Sequence, residues 1–427
     1  MIPANIISKK RDGQNLNRSE IGLFFKDYIN GLVTDAQMSA MLMAIYFNGM
    51  NEDETFALVE TMLYSGEILD FSNSKCYVAD KHSTGGIGDK VSLILAPIMA
   101  AAGIKIPMIA GRGLGFTGGT IDKLESISGF DTSPNLKIFQ QWVEKNGYAI
   151  ISQTDAICPA DKKIYNLRDK TGTVPSIPLI CGSIMSKKIA EGISGLALDI
   201  KIGNGTFMKN KKSAFELGDW MEKISKEFNI KTDILYTDMN QPLGNFAGLS
   251  CEIEESISCL KGIGPDDLMS ITFELGSKLL LQAKIARTYS SAISIQNKII
   301  KSGEALKQFK KSIKSQGGTF KKFQFQNQAK YETFVYKKES GIITEMKTEK
   351  IGWALVILGC GITNDNKILD NTAGIEFYKK LGFETNKNEP IFRIFCSNKS
   401  KLEKVATMLS STVVIGKHYK EKPLIYY

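Results

Sequence analysis

The sequence predicts an α/β protein with a discontinuous helical domain, a mainly parallel α/β domain and a small C-terminal α/β unit. Three observations carry this. Residues Arg18 to Phe71 hold helical apolar spacing with no strand pattern. After Phe71, short apolar strands alternate with helices, which is the pattern of parallel β–α–β units. Between Cys158 and Gly192 the alternation pauses for two further helices. The expected boundaries are 1–70 and 158–192 for the helical domain, 71–157 and 193–330 for the α/β domain, and 331–427 for the C-terminal unit.

The first helix is expected to be capped by Ser19, with Ile21, Phe24, Phe25, Tyr28 and Ile29 on its apolar face. Thr34 with Gln37 and Asn51 with Glu54 are capping-box patterns for the next two. Met38, Met41 and Met43 are expected in the core. The strands of the sheet are expected at Tyr77–Ala79, Lys105–Ala110, Tyr148–Ser152, Leu196–Ile202 and Ile234–Thr237. The excursion holds helices over Asp161–Asp169 and Ser183–Glu191, which can return to the N-terminal helices. Helices dominate from Gly262 to Lys314. Short strands recur at Thr333–Tyr336, Gly341–Met346 and Ile391–Cys396.

Composition narrows the function. At 427 residues, with 43% apolar and 23% charged residues, the chain is neither disordered nor fibrous. No apolar run is long enough to cross a bilayer and Met1–Gln14 is not a secretory signal, so a cytoplasmic protein without membrane partners is expected. Seven scattered cysteines without a CxxC pair, and only two histidines, argue against a zinc site; no metal is expected. The net charge of +9 rests on lysine, with six arginines in all. The densest basic run, Lys307–Lys322 near Phe309, Phe320 and Phe323, is expected to be solvated helix and loop and not a nucleic-acid surface.

The chemistry concentrates between Asp80 and Glu125. Two glycine loops there share Thr-Gly-Gly, at Thr84–Gly86 and Thr117–Gly119. Such loops let backbone amides approach an anion. Lys81 offers a point charge, and Ser83, Ser92 and Thr120 offer hydroxyls, a set suited to phosphate. His82 can give a hydrogen bond or proton to a leaving group. A rival exists: Gly113–Gly118 fits GxGxxG between a strand and a helix, as a dinucleotide fingerprint requires. Its acid would be Asp131, which sits in a turn, and the fingerprint leaves Lys81-His82-Ser83 unexplained. A third cluster pairs Tyr165 with Arg168 and Ser183 with Lys187 on helical faces. These suit the polar edge of a planar heterocycle, with ordinary helix surface as the alternative. Phe207, after a strand, belongs either to the core or beside such a ring.

The blocks Asp80–Gly86, Gly111–Gly115, Thr117–Glu125, Pro159–Lys162, Ser183–Lys188 and Asp238–Gly244 closely resemble the pyrimidine nucleoside phosphorylase family, which includes the thymidine phosphorylases. The resemblance covers essentially the whole chain. It implies reversible phosphorolysis of a pyrimidine (deoxy)nucleoside to free base and (2-deoxy)ribose 1-phosphate, with inorganic phosphate as co-substrate and no cofactor. It assigns phosphate to Lys81, Ser83, Ser92 and Thr120. It assigns the base to Arg168, Ser183 and Lys187, flanked by Tyr165 and Phe207, with His82 at a base carbonyl. It also implies a homodimer formed through the helical domain. Met108 stands where selective thymidine phosphorylases have Met and broader members have Lys. Ala110 replaces a usual Ser, and Phe116 a common His, which suggests an apolar wall by the base. Some members hold a monovalent cation near positions 88, 90, 243, 246 and 255; here Lys90 is expected to pair with Glu255 in its place. The other classes left open are a broad enzyme accepting uridine, a related phosphoribosyltransferase and an NAD-dependent oxidoreductase.

Overall fold

A computed structural model describes residues 2–113, 115–320, 328–361 and 368–427. Four helices open the chain: α1 (Pro3–Arg11), α2 (Arg18–Ile29), α3 (Asp35–Asn48) and α4 (Glu52–Leu63). The capping boxes at Thr34 and Asn51 start α3 and α4 as expected. The start of α2 differs. Asn17 and not Ser19 caps it, because Asn17 Oδ1 accepts the Glu20 amide while the Ser19 hydroxyl only donates to Asn17. Apolar spacing does not predict α1, because its one buried side chain is a lysine. Lys10 donates to both carboxylate oxygens of Glu54, at 2.7 and 2.9 Å. Met38 and Met41 are buried, whereas Met43 is exposed.

The chain then enters the sheet through β1 (Ala79–Ser83), α5 (Val91–Ala101), β2 (Ile106–Ala110), the short α6 (Thr120–Leu124), α7 (Leu136–Asn146) and β3 (Tyr148–Ser152). The first strand was expected at Tyr77–Ala79. It runs further because β1 pairs in parallel with a later strand as far as Ser83 against Asp199. Lys81, His82 and Ser83 are therefore strand residues and not loop residues. Next come α8 (Pro159–Thr171) and α9 (Ile177–Ala190), each with a proline in its first turn. They return to the first helices: Ala160, Ile164 and Leu179 share one core with Phe24, Met38 and Leu58.

The sheet resumes with β4 (Gly195–Ile202), α10 (Lys211–Glu227) and β5 (Lys231–Asp238). β1, β4 and β5 are parallel neighbours, β2 and β3 form a second parallel pair, and a parallel bridge from Val78 to Lys105 joins the two. There follow β6 (Phe246–Gly248), α11 (Ser250–Leu260), α12 (Asp266–Gln282), α13 (Tyr289–Lys301) and α14 (Glu304–Ser315). α12 and α14 pack on α5, burying Leu275, Leu279, Phe309 and Ile313. In the basic run, Phe309 is buried and faces Phe320 with ring centroids 6.1 Å apart, so these aromatics belong to the core. Lys321, Lys322 and Phe323 lie outside the described residues.

The C-terminal unit comprises β7 (Tyr331–Tyr336), β8 (Gly341–Met346), α15 (Thr348–Leu355), β9 (Gly374–Phe377), β10 (Glu384–Thr385), β11 (Pro390–Cys396), α16 (Lys399–Ser410) and β12 (Val413–Gly416), and β13 (Ile425–Tyr426) ends the chain. The expected boundary between 330 and 331 is crossed twice. β6, from the 193–330 segment, joins the antiparallel sheet β6-β9-β11-β7 of this unit. β13, from the 331–427 segment, returns to pair with β5 of the main sheet. Both strands are too short to register as apolar periods. No helix among the described residues is long and apolar enough to cross a membrane.

Glu54 is fully buried and also accepts the amides of Leu16 and Asn51. Glu54→Ala leaves the Lys10 ammonium buried without a partner, so it should destabilise the N-terminal helices by about 3–5 kcal/mol. Hydrogen exchange over residues 3–29 measures this; amides as protected as in the wild type would contradict it.

Candidate active site

Lys81, His82 and Ser83 lie at the carboxyl end of β1, where parallel α/β sheets bind ligands. The chain leaves β1 through Gly85 and Gly88, both with positive φ. Gly88 has a second constraint: a Cβ there would overlap the Leu243 carbonyl oxygen. The Lys81 side chain is buried, but its ammonium is loosely held, 3.5 Å from Ser92 Oγ and 3.8 Å from Asp89 Oδ1. Burial lowers its pKa, with Asp89 and Asp199 opposing. Ser83 Oγ accepts the Gly85 amide at 3.2 Å. Ser92 sits in the first turn of α5, and Thr120 is the first residue of α6.

The second glycine loop, 111–119, is tied down by acids. Gly113 N donates to Asp122 Oδ2 at 2.6 Å, and the Arg112 guanidinium spans Asp122 and Glu125. An aspartate on the Gly113 amide, followed by a five-residue helix, is unlike a pyrophosphate-binding turn, so the dinucleotide alternative fails on geometry. Leu114 lies outside the described residues.

Beneath both loops runs a buried network of alternating charges. Lys201 pairs with Asp199 at 2.7 Å and approaches Asp89 at 3.7 Å, while Thr237 donates to Asp199. Burial alone would raise the pKa of Asp89, but Lys201 and Lys81 hold it far below the usual carboxylate range. Lys123 joins Glu252 at 2.6 Å to the Asp89 carbonyl at 2.8 Å. Lys90 pairs with Glu255 at 2.7 Å, as expected, and also donates to the carbonyls of Leu243 and Phe246 at 3.1 and 2.9 Å. Burial opposes its charge, but Glu255 and Glu252 outweigh that and raise its pKa.

The other cluster stands on α8 and α9. Lys187 donates to Ser183 Oγ at 2.9 Å and pairs with the buried Asp161. Arg168 is buried beside the Tyr165 ring. Its terminal nitrogens donate to Leu179 O at 2.8 Å and Val174 O at 2.7 Å, while Nε has no hydrogen-bond partner. Desolvation brings its pKa down to about 10 despite Asp161. His82 lies within electrostatic reach of both clusters. Burial, then Lys188, Lys187 and Lys81, push its pKa well below 6.5, so the imidazole is neutral. Phe207 is half-buried and packs against two cores, one containing Ile184 of α9 and the other belonging to the C-terminal unit.

Four supporting groups had no role assigned from the sequence: Asp161, Asp89, Asp199 and Lys201. A signal existed for the last two, since β4 is buried along its length and still carries both charges. Met108 is buried in β2 and Ala110 ends that strand. Phe116 differs from expectation. It is 7% exposed and enters the core of the C-terminal unit with Ile351 and Ala354, so it is no open wall.

Comparison with known proteins agrees over the full length. Residues 4–66 match the helical bundle domain of the glycosyl transferase family and residues 75–306 match its a/b domain. Residues 342–416 match the pyrimidine nucleoside phosphorylase C-terminal domain. The pyrimidine-nucleoside phosphorylases of Staphylococcus aureus strains MW2 and COL are each 42% identical over 425 residues, covering 99% of this chain and 98% of theirs. In fold alone, the chain is similar to anthranilate phosphoribosyltransferase from Thermus thermophilus, with TM-score 0.58 and 15% identity, over 73% of this chain and 99% of that one. With all three segments matched in order and relatives similar from end to end, the chain belongs to the pyrimidine-nucleoside phosphorylase family of pentosyl-transferring enzymes.

Proposed function

We propose that the protein catalyses reversible phosphorolysis of pyrimidine nucleosides, with thymidine and other 2′-deoxynucleosides preferred. The carrying observation is that the charges of both clusters act on one imidazole: His82 feels the buried, loosely held Lys81 ammonium as well as Lys187, which is itself held by Ser183 and Asp161. Lys81, Ser83, Ser92 and Thr120 hold inorganic phosphate as co-substrate. Ser183, Lys187 and Arg168 hold the base, with Tyr165 and Phe207 beside its ring. Buried Met108, in place of the lysine of broader members, supports the deoxy preference.

The C1′–N1 bond breaks and its electron pair passes to the base. A phosphate oxygen then forms the new bond to C1′ from the opposite face. Negative charge grows on the base oxygens, where Lys187 and Arg168 supply fixed positive charge and neutral His82 a hydrogen bond. No covalent enzyme intermediate is needed, and positioning of the two substrates supplies most of the acceleration. The exposed apolar side chains Leu23, Leu32, Met43, Tyr46 and Phe47 of the helical part support a homodimer formed there.

Purified protein given thymidine, deoxyuridine or uridine should release free base only with phosphate, fastest from thymidine. Phosphate-independent release would sink the mechanism, and equal rates would sink the preference. Arg168→Ala and Lys187→Ala should each lower turnover by on the order of 10²-fold or more. Near-normal turnover in either would remove that residue from the site.

The imidazole of His82 should stay neutral as pH falls through about 6.5, the ordinary histidine value. Because it is less basic folded than unfolded, its protonation opposes folding. That penalty is absent above the unfolded value and grows as pH falls below it. An NMR titration, assigned with His82→Asn, would contradict this if the His82 signal moved at ordinary pH.

Lys90 places an ammonium among the groups at 243, 246 and 255, where the family resemblance implies a monovalent cation in some members. Activity should therefore be unchanged in potassium-free buffer; strict dependence on added potassium would overturn the substitution.

A further inference from the structure

Helix α15 belongs to the C-terminal unit, yet it touches four loops of the catalytic domain. Its first residue, Thr348, donates its amide to Asn204 Oδ1 at 2.6 Å and its hydroxyl to Asn240 O at 2.7 Å. Asn204 Nδ2 returns a bond to Met346 O at 3.0 Å. Glu349 pairs with Lys209 at 2.7 Å, and the Lys209 ammonium lies 5.5 Å from the centre of the Phe116 ring. The start of α15 is thus fixed to the loop that carries Phe207.

The next turn meets the two glycine loops. At Gly352 a Cβ would overlap the Phe116 carbonyl oxygen and come within 2.7 Å of Ile87 Cδ1. Phe116 belongs to the second glycine loop and Ile87 to the first. Both are buried in the core of the C-terminal unit, at 7% and 1% exposure, beside Ile351, Ala354 and Leu358. The Phe116 ring lies 5.7 Å from Phe207 and 6.1 Å from Trp353, centre to centre. Trp353 is 43% exposed, so its indole covers Phe116 from the solvent side.

We propose that α15 is a positioning element of the phosphate site: Gly352 and Trp353 hold Phe116 and Ile87, and through them set both glycine loops against Thr120 and Ser83. This rests on the proposed assignment of phosphate to those loops. The reason is the shape of loop 111–119. On the Asp122 side it is held through Arg112 and Gly113, before the Thr-Gly-Gly segment. Phe116 is the apolar anchor immediately before Thr117-Gly118-Gly119, and α15 packs against both its backbone and its ring. An apolar residue in a phosphate loop is accounted for by this contact, since a polar side chain would be desolvated there. The C-terminal unit therefore completes the nucleophile's half of the cleft without touching phosphate.

The test uses the full-length protein. Trp353→Ala removes a surface ring and leaves the helix intact. Its KM for phosphate should rise on the order of tenfold or more, with the KM for nucleoside within about twofold, and Trp353→Phe should restore most of the loss. Gly352→Ala should give the larger effect in the same direction. Equal rises in both KM values, no change in either, or failure of Trp353→Phe to rescue would overturn the proposal. Hydrogen exchange of residues 111–119 supplies a readout independent of turnover. Faster exchange in Trp353→Ala is expected even if the wild type proves to lack phosphorolysis, in which case the assignment of function fails while the positioning stands. Unchanged exchange overturns the positioning itself.

Discussion

A buried ammonium must find carboxylates or lose its charge, and this protein buries Lys81, Lys90, Lys123, Lys188 and Lys201 around one end of its sheet. Much of the local structure follows. Asp199 and Lys201 occupy alternate positions of β4, so both point to one side of the sheet, towards Asp89 and Thr237. Glu252 and Glu255 share a face of α11 and meet Lys123 and Lys90. Such pairs add little net stability compared with apolar packing. They do fix geometry, because shifting one member leaves a buried charge unmatched. Lys81 is the exception, 3.8 Å from its nearest carboxylate, a deficit that the proposed phosphate would answer.

A second junction joins α9 to β1 and β2. Lys188 of α9 pairs with Asp80 of β1 and with Glu191, and also donates to Ile109 O of β2. Glu191 accepts the Ile109 amide in return. These groups are almost fully buried. Burial first, then Asp80, push the Glu191 carboxyl well above its ordinary pKa, with Lys188 opposing. One lysine among two acids thus ties the helix bearing Lys187 to the strand bearing His82. The spacing between the clusters proposed to hold base and phosphate is set at this point.

Much of this was legible in the sequence. Capping boxes are local chemistry, so Thr34 and Asn51 marked helix starts correctly, and the buried strands stood out as apolar runs between glycine turns. Candidate site residues stood out because chemistry demands unusual neighbours: Lys81-His82-Ser83 before Thr-Gly-Gly has few purely structural uses. Hidden features depend on distant partners. β6 and β13 are strands only because β9 and β5 lie ready to receive them. α1 folds because Lys10 finds Glu54, 44 residues away. Asp161 gains its role only when α8 and α9 pack together and bring it to Lys187.

Phe116 shows how the same limit applies to a departure from the family pattern. Position in the loop placed it next to the base, and an apolar side chain there reads as a wall of the cleft. Burial reverses that, because the ring leaves the cleft and enters the core of a unit whose chain begins more than 200 residues later. A side chain able to anchor a loop in a distant core contributes to function through the backbone it holds. Loop residues constrained from one side by ion pairs and from the other by apolar packing present their amides in a fixed array. For a small, symmetric nucleophile such as phosphate, a fixed array of donors is what converts binding into orientation.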